Sequence, residues 1–432
     1  MLCSPFSNLL PSPTLKINEL VKQRWQQGRP VHHLGFGESR FDVHPVLQEA
    51  LQKNTHRKSY LEAQGLNSLR SVAAAYYGKR NGTPYSTEQV IIGPGSKSLI
   101  YAIQMVLDVD IFLPTPSWVS YAPQAEMLGK RVHWIPAHAK DGYHFDLAAF
   151  DEQLRKSNSS NQLLILNSPN NPTGQMLTPE NLQQIADYCR LNRVIVLSDE
   201  IYSQVVHGQQ IHTSISQFYP EGTVVVGGLS KHLSLGGWRI GVGLLPDNDF
   251  GSQLMKALVV VASEQWSSVS APVQFAAIAA YSEDCSVEEY IKVCGDIHGV
   301  RSRYLAKSLS AMGVRTTKPD GGFYVTANFN DWRSNLKKVG VRNASELAGY
   351  LLDSYDIAAL PGSVFGIESS ELSLRLSSSY LDFEHDTDSA RLLDVWSMRH
   401  TDEQFMAAEI HPNFNEAIAA FRAFIAHLDT KA

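Results

Sequence analysis

From about residue 30 to about residue 280 the chain alternates runs of consecutive apolar residues with stretches whose apolar positions recur at helical spacing. The runs at 90–92, 110–113, 163–166, 194–197 and 224–226 have no polar face, as strands buried on both sides of a sheet do. Residues 96–107 and 178–191 carry helical spacing instead. Thr178-Pro179-Glu180 opens the second with a capping residue, a proline at the first helical position and an acid in the first turn. Strand and helix in alternation predict an α/β protein with a mostly parallel sheet covered by helices on both faces. Upstream, Ser and Pro crowd residues 4–14, which predicts an extended arm, and a helix follows from 14 to about 27, stopped by Gly28 and Pro30. Past Glu283 the texture changes to long helical patterns, a Gly321-Gly322 turn and short strands near 323–325 and 372–376. The expected organisation is an arm over 1–44 that joins the smaller domain, a large domain over 45–282 and a small α+β domain over 283–432. Residues 382–414, rich in acids and His, read as an insertion or long connection before the last helix.

Composition narrows the class. The 432 residues are 44% hydrophobic and 19% charged, which suits a globular enzyme of two lobes and not a disordered chain. A net charge of −6 without any block of like charges gives no footing for nucleic acid. Cys3, Cys189, Cys285 and Cys294 form no Cys-x-x-Cys pair and read as reduced thiols of a cytoplasmic protein. The opening MLCSPFSNLLPSPT lacks a basic start and is broken by prolines, so neither a secretory signal nor an anchor is expected, and no uncharged apolar run approaches a membrane span.

Three stretches carry the chemistry: LLILNSPNNPTG (163–174), RVIVLSDEIYSQV (193–205) and TVVVGGLSKHLSLGGWRIG (223–241). Each is an apolar run ending in polar or glycine-rich residues. Asn171 and Asp199 lie 28 residues apart, and Asp199 and Lys231 lie 32 apart, each close to one strand–helix–strand unit. Ligands bind such sheets at the carboxyl ends of the strands, so an amide, a carboxylate and an amine point into one crevice. That set suits a pyridine aldehyde cofactor. It needs a lysine to form an imine, an acid to hold a proton on the ring nitrogen and a donor to the ring's phenolic oxygen.

With these motifs the chain, from about Thr14 to Tyr380, resembles the fold type I pyridoxal-phosphate enzymes of the class I/II aminotransferase family. The resemblance implies a seven-stranded-type sheet plus a smaller α+β domain, and pyridoxal 5′-phosphate as cofactor. By it Lys231 forms the Schiff base and later moves the α-proton, Asp199 pairs with the pyridine N–H, and Tyr202 and Asn171 meet the phenolic oxygen. Arg239 and Ser230 are implied phosphate ligands, joined by Gly95, Ser96 and Lys97 at a glycine-rich turn into a helix, where free amides and the helix dipole favour an anion. Gly228 stands where many relatives have Ser or Thr, which implies one phosphate donor fewer. Trp118 is implied to stack on the cofactor ring and, with Asn171, to line the substrate site, where Arg375 binds the α-carboxylate bidentately and Gly37 offers its backbone amide. Tyr60 is implied to reach the phosphate of a neighbouring subunit, which makes the active unit a homodimer.

The expected activity is amino transfer from an L-amino acid to a 2-oxo acid in two stages. A lyase or cyclase of the same fold, such as a carbon–sulfur β-lyase or an aminocyclopropane-carboxylate synthase, is the alternative, since the same residues serve both. A regulator with an aminotransferase-like sensing domain is not expected, because only about thirty residues precede HLGFGES. The branch selective for acidic substrates carries a second arginine whose approximate counterpart falls near Gln265 and Trp266, so aspartate is disfavoured. His32, His33 and His44 have no metal-ligand spacing and read as solvated.

Overall fold

The structure, a computed structural model, describes residue 6, residues 9–385 and residues 387–430. Cys3 and part of the Ser/Pro-rich arm lie outside the described residues. A seven-stranded sheet has the spatial order Val90–Pro94, Ile240–Leu244, Thr223–Gly228, Ile195–Asp199, Gln162–Asn167, Asp110–Pro114, Val132–Ile135. All five apolar runs fall in it. Their side chains are buried because helices cover the sheet: Ile100 and Ile103 on one face, Ile185 and Ala186 on the other.

Two strands of this sheet were not foreseen, the edge strand Val132–Ile135 and Ile240–Leu244. Ile240–Leu244 pairs antiparallel with both neighbours, so the sheet is mixed around a single reversed strand. Its alternating glycines hide it in sequence, yet they are required: a Cβ at Gly241 would lie 2.4 Å from the Gly95 carbonyl carbon. The parallel strands keep a register that matters for the site. Asn167 sits opposite Asp199, and Asp199 opposite Val226, so the loops after these strands leave the sheet side by side.

The helix after the first of the three stretches runs Pro179–Asn192, with the Thr178 side chain accepting from the Asn181 amide and proline at the first position, as its sequence predicts. Toward the C-terminus a four-stranded antiparallel sheet, in the order Leu360–Pro361, Ser373–Ser377, Tyr324–Asn328, Arg315–Thr316, packs against the helices Cys285–Ser310 and Pro412–Asp429. The arm joins this part: His32–His33 pairs in parallel with Ile357–Ala358.

Two expectations need correction. Residues 382–414 contain the helices Asp388–Met398 and Asp402–Phe405, whose Leu392, Trp396 and Phe405 are buried in the same core. Their apolar positions are sparse and set among acids, so the amphipathic spacing is masked in sequence. His33 is wholly buried between Trp25, Phe36 and Tyr380, with Nε2 on Asn18 Oδ1 at 3.1 Å, and burial pulls its pKa down to about 3. Among the described residues no helix is long and apolar enough to cross a membrane.

Candidate active site

A cavity of about 480 Å³ opens where the parallel strands end. Its walls come from the sheet loops (Asn171, Asp199, Tyr202, Ser230, Lys231), from Tyr324 and Arg375 of the antiparallel sheet, and from the arm, with Ser12, Thr14, Leu15, Phe36 and Gly37. Ser96, Lys97, Trp118 and Arg239 complete it. The structure thus brings together every residue singled out in sequence except Gly95, which lies behind Arg239, and Tyr60.

Lys231 follows directly on the strand Thr223–Gly228 and a two-residue link. Its Nζ donates to Gly37 O at 3.1 Å and lies 5.8 Å from the ring centroids of both Tyr202 and Phe323. Burial pulls its pKa down to about 8; Glu38 opposes that shift, while Arg375 and Lys97 reinforce it. A neutral amine is therefore within reach near neutral pH, as a proton acceptor requires.

Asp199 ends its strand fully buried. Oδ2 accepts from the Tyr121 hydroxyl at 2.7 Å and Oδ1 from the Ile201 amide at 3.2 Å. Burial pushes its pKa up to about 6, and those two hydrogen bonds hold it from going higher. Asn167, on the adjacent strand end, donates Nδ2 to Asp199 O at 2.9 Å and accepts the Asn171 amide at 2.8 Å, so the carboxylate and the amide are fixed relative to each other.

Arg375, central in Ser373–Ser377, is 1% exposed. Its Nη1 donates to Asn171 Oδ1 at 3.5 Å and Nη2 to Gly35 O, while buried Nε has no partner. Its guanidinium lies 4.8 Å from the centroid of the Tyr324 ring. No carboxylate pairs with it among the described residues. A buried cation without a counter-charge is costly, and a ligand carboxylate entering the cavity supplies one.

The opposite rim is built for a phosphate. The helix Ser96–Val106 starts at Gly95, whose φ of +89° suits glycine and which offers no side-chain cap to the first amides. Arg239 lies across this end: its Nη2 donates to Pro94 O at 3.0 Å, and a Cβ on Gly95 would fall 2.1 Å from Nη2. The Lys97 ammonium sits 4.9 Å from the Trp118 ring centroid and loses proton affinity through burial and Arg239. The missing hydroxyl at 228 has a local cause, since a Cβ there would meet Ile240 O at 2.6 Å.

These groups fit pyridoxal phosphate. An uncapped helix end with an arginine across it answers the phosphate, a buried carboxylate answers the ring nitrogen, and a half-buried lysine answers the aldehyde. Sequence reasoning missed Tyr121, Tyr324, Asn167 and the arm residues Ser12, Thr14, Leu15 and Phe36. Tyr121 stands three positions after Trp118, so the aromatic repeat in PTPSWVSYAP was its only signal. Tyr60 is 87% exposed and stands apart from the cavity.

A family model described as aminotransferase class I and II matches residues 29–384. The aspartate aminotransferase of Geobacillus stearothermophilus is 32% identical over 83% of this chain and 90% of its own length, and that of Bacillus subtilis is 31% identical over the same shares. Among solved structures, an aromatic aminotransferase from Pyrococcus horikoshii is 27% identical with a TM-score of 0.71, over 88% of this chain and 99% of that one. The fold alone is shared with the aspartate aminotransferase of Thermus thermophilus with maleate, at a TM-score of 0.79 and 24% identity, over 92% and 99%. The chain belongs to the aminotransferase class I and II family, the pyridoxal-phosphate-dependent enzymes of fold type I. It is a pyridoxal-phosphate-dependent aminotransferase, acting on amino acids and 2-oxo acids.

Proposed function

We propose that the enzyme works in two half-reactions at the cavity just described, with Lys231 as the covalent anchor of the cofactor and the base of both halves. Bound pyridoxal phosphate supplies an aldehyde that links to amines and a ring that spreads the charge left when the α-proton departs. Arg375 holds the substrate α-carboxylate through its planar fork, which fixes the α-carbon and makes attack effectively intramolecular. Lys231, as a neutral amine, would take the α-proton and would return it on the cofactor side. Asp199 keeps a proton on the ring nitrogen, supported by Tyr121. Tyr202 and Asn171 donate to the phenolic oxygen, and Trp118 lies against the ring. Gly95, Ser96, Ser230 and Arg239 take the phosphate, with Lys97 beside them, and Gly37 lines the carboxylate side. The observation that carries this reading is Lys231: a half-buried lysine whose amine has a depressed pKa, in one cavity with a buried carboxylate and an uncompensated buried arginine.

For the substrate, relatives named aspartate aminotransferases support an acidic donor, against the expectation drawn from Gln265 and Trp266. Lys97 is the cavity cation that remains, among the described residues, once Lys231, Arg239 and Arg375 have their tasks. We assign it the side-chain carboxylate of an acidic donor in addition to its place beside the phosphate. We further propose the domain division 1–44, 45–282 and 283–432, supported by separate hydrophobic cores, and a homodimer in which exposed Tyr60 reaches the partner's phosphate. A cytoplasmic location accords with the reduced state of Cys189, Cys285 and Cys294.

The test is a single-turnover titration. Adding L-aspartate alone to the cofactor-loaded enzyme should convert one cofactor equivalent to its amine form and stop, and 2-oxoglutarate should then restore the starting spectrum. Continuous release of product from amino acid alone would instead establish a lyase.

A further inference from the structure

Tyr324 has no role in the chemistry set out so far, yet it touches three of its parts. Its hydroxyl lies 2.8 Å from that of Tyr202, its ring lies under the Arg375 guanidinium at 4.8 Å, and a Cβ on Gly37 would fall 2.0 Å from its oxygen. Both tyrosines are buried, and both line the cavity.

We propose that Tyr324 is a positioning residue that donates its proton to Tyr202, fixing the Tyr202 hydroxyl toward the cofactor's phenolic oxygen and coupling that contact to the occupancy of Arg375. This rests on the reading that Tyr202 meets the phenolic oxygen. Only one proton can lie between two oxygens 2.8 Å apart. The ionised phenolic oxygen of the cofactor can only accept. Tyr202 therefore spends its single proton there and must accept from Tyr324. The other acceptor open to Tyr324, Gly37 O, is 3.5 Å away, at the outer limit of a hydrogen bond.

Electrostatics favour the same direction. Burial raises the pKa of both phenols, and the Arg375 charge lowers both; it ranks directly after burial for Tyr324 but last for Tyr202, whose pKa Asp199 also raises, so Tyr324 is the better donor of the pair. A substrate carboxylate on Arg375 cancels that charge. Tyr324 then donates less strongly, Tyr202 supports the phenolic oxygen less, and the cofactor linkage becomes more basic as substrate binds. Occupancy of the carboxylate site is thus reported to the reacting bond through two hydroxyls.

The experiment is an absorbance titration against pH of the cofactor-loaded resting enzyme, wild type beside Tyr324→Phe, Tyr202→Phe and the double variant. Tyr324→Phe keeps the ring under Arg375 and should raise the pKa of the Lys231-linked chromophore by about half to one unit, the effect of one lost hydrogen bond. Tyr202→Phe should raise it further, and the double variant should match Tyr202→Phe, because Tyr324 acts only through Tyr202. Replacing Tyr324 with 3,5-difluorotyrosine, a stronger donor of nearly the same shape, should lower the pKa. A shift in Tyr202→Phe with none in Tyr324→Phe, or additive shifts in the double variant, overturns this coupling and leaves the Tyr202 assignment standing. No shift in Tyr202→Phe overturns that assignment and the coupling with it.

Discussion

Tyr121 donates its hydroxyl proton to Asp199 Oδ2 at 2.7 Å, in a pocket where both side chains are buried. Removing that donor leaves a charged carboxylate less supported where it must remain ionised against the ring nitrogen. Tyr121→Phe should lower kcat by about 10–100-fold, the cost of one hydrogen bond to a charged group, with cofactor binding also weakened. Steady-state kinetics and cofactor titration check both. The cofactor-free protein offers a second measurement. Asp199 titrates near pH 6 when folded, against 3.8 for an ordinary aspartate. Between those pH values the folded state binds more protons than the unfolded one, so stability falls as pH rises through that window. Asp199→Asn should flatten this part of the profile of melting temperature against pH.

Arg375 and Lys97 should separate in their kinetics. Arg375→Lys loses the planar fork and leaves Asn171 without its guanidinium partner, so KM should rise about 10–100-fold for every amino donor. Lys97→Met should raise KM for aspartate and glutamate much more than for alanine. Equal losses for all three donors would confine Lys97 to the phosphate.

At Gly228 the resemblance to relatives invites a hydroxyl that the neighbouring strand excludes. Gly228→Ser places Cβ 2.6 Å from Ile240 O and 3.3 Å from Gly241 Cα, both backbone atoms that cannot swing aside. The variant should lose about 1–3 kcal/mol of stability and gain no cofactor affinity, as denaturant melts and cofactor titrations would show.

Tyr60 gives a test of shared sites. Tyr60→Phe should bind the cofactor more weakly, and Lys231→Ala should lose about 10²–10⁴-fold in rate. Mixed subunits of the two variants should recover wild-type sites, each with Lys231 from one chain and Tyr60 from the other. No recovery on mixing would place Tyr60 in its own chain's chemistry or outside it.

Much of the fold was legible because strands buried on both faces print as unbroken apolar runs, and Asn171, Asp199 and Lys231 stand one strand–helix unit apart. What escaped did so for stated reasons. Ile240–Leu244 alternates glycine with apolar residues and reads as a turn, although the glycines serve close approach between backbones. Tyr324 stands between Phe323 and Val325, and Tyr121 closely follows Trp118 and Val119, so core packing is the simpler reading of either. Ser12 and Thr14 belong to a stretch that reads as an arm, and its place at the cavity depends on a strand pair with residues more than three hundred positions away.

That pairing of His32–His33 with Ile357–Ala358 bears on handling the enzyme. Because Ser12, Thr14 and Leu15 form part of the cavity wall, any change made to this stretch bears directly on the cavity. The helix Pro412–Asp429 contributes no residue to that wall, so its exposed positions are the better points of attachment for immobilisation or labelling.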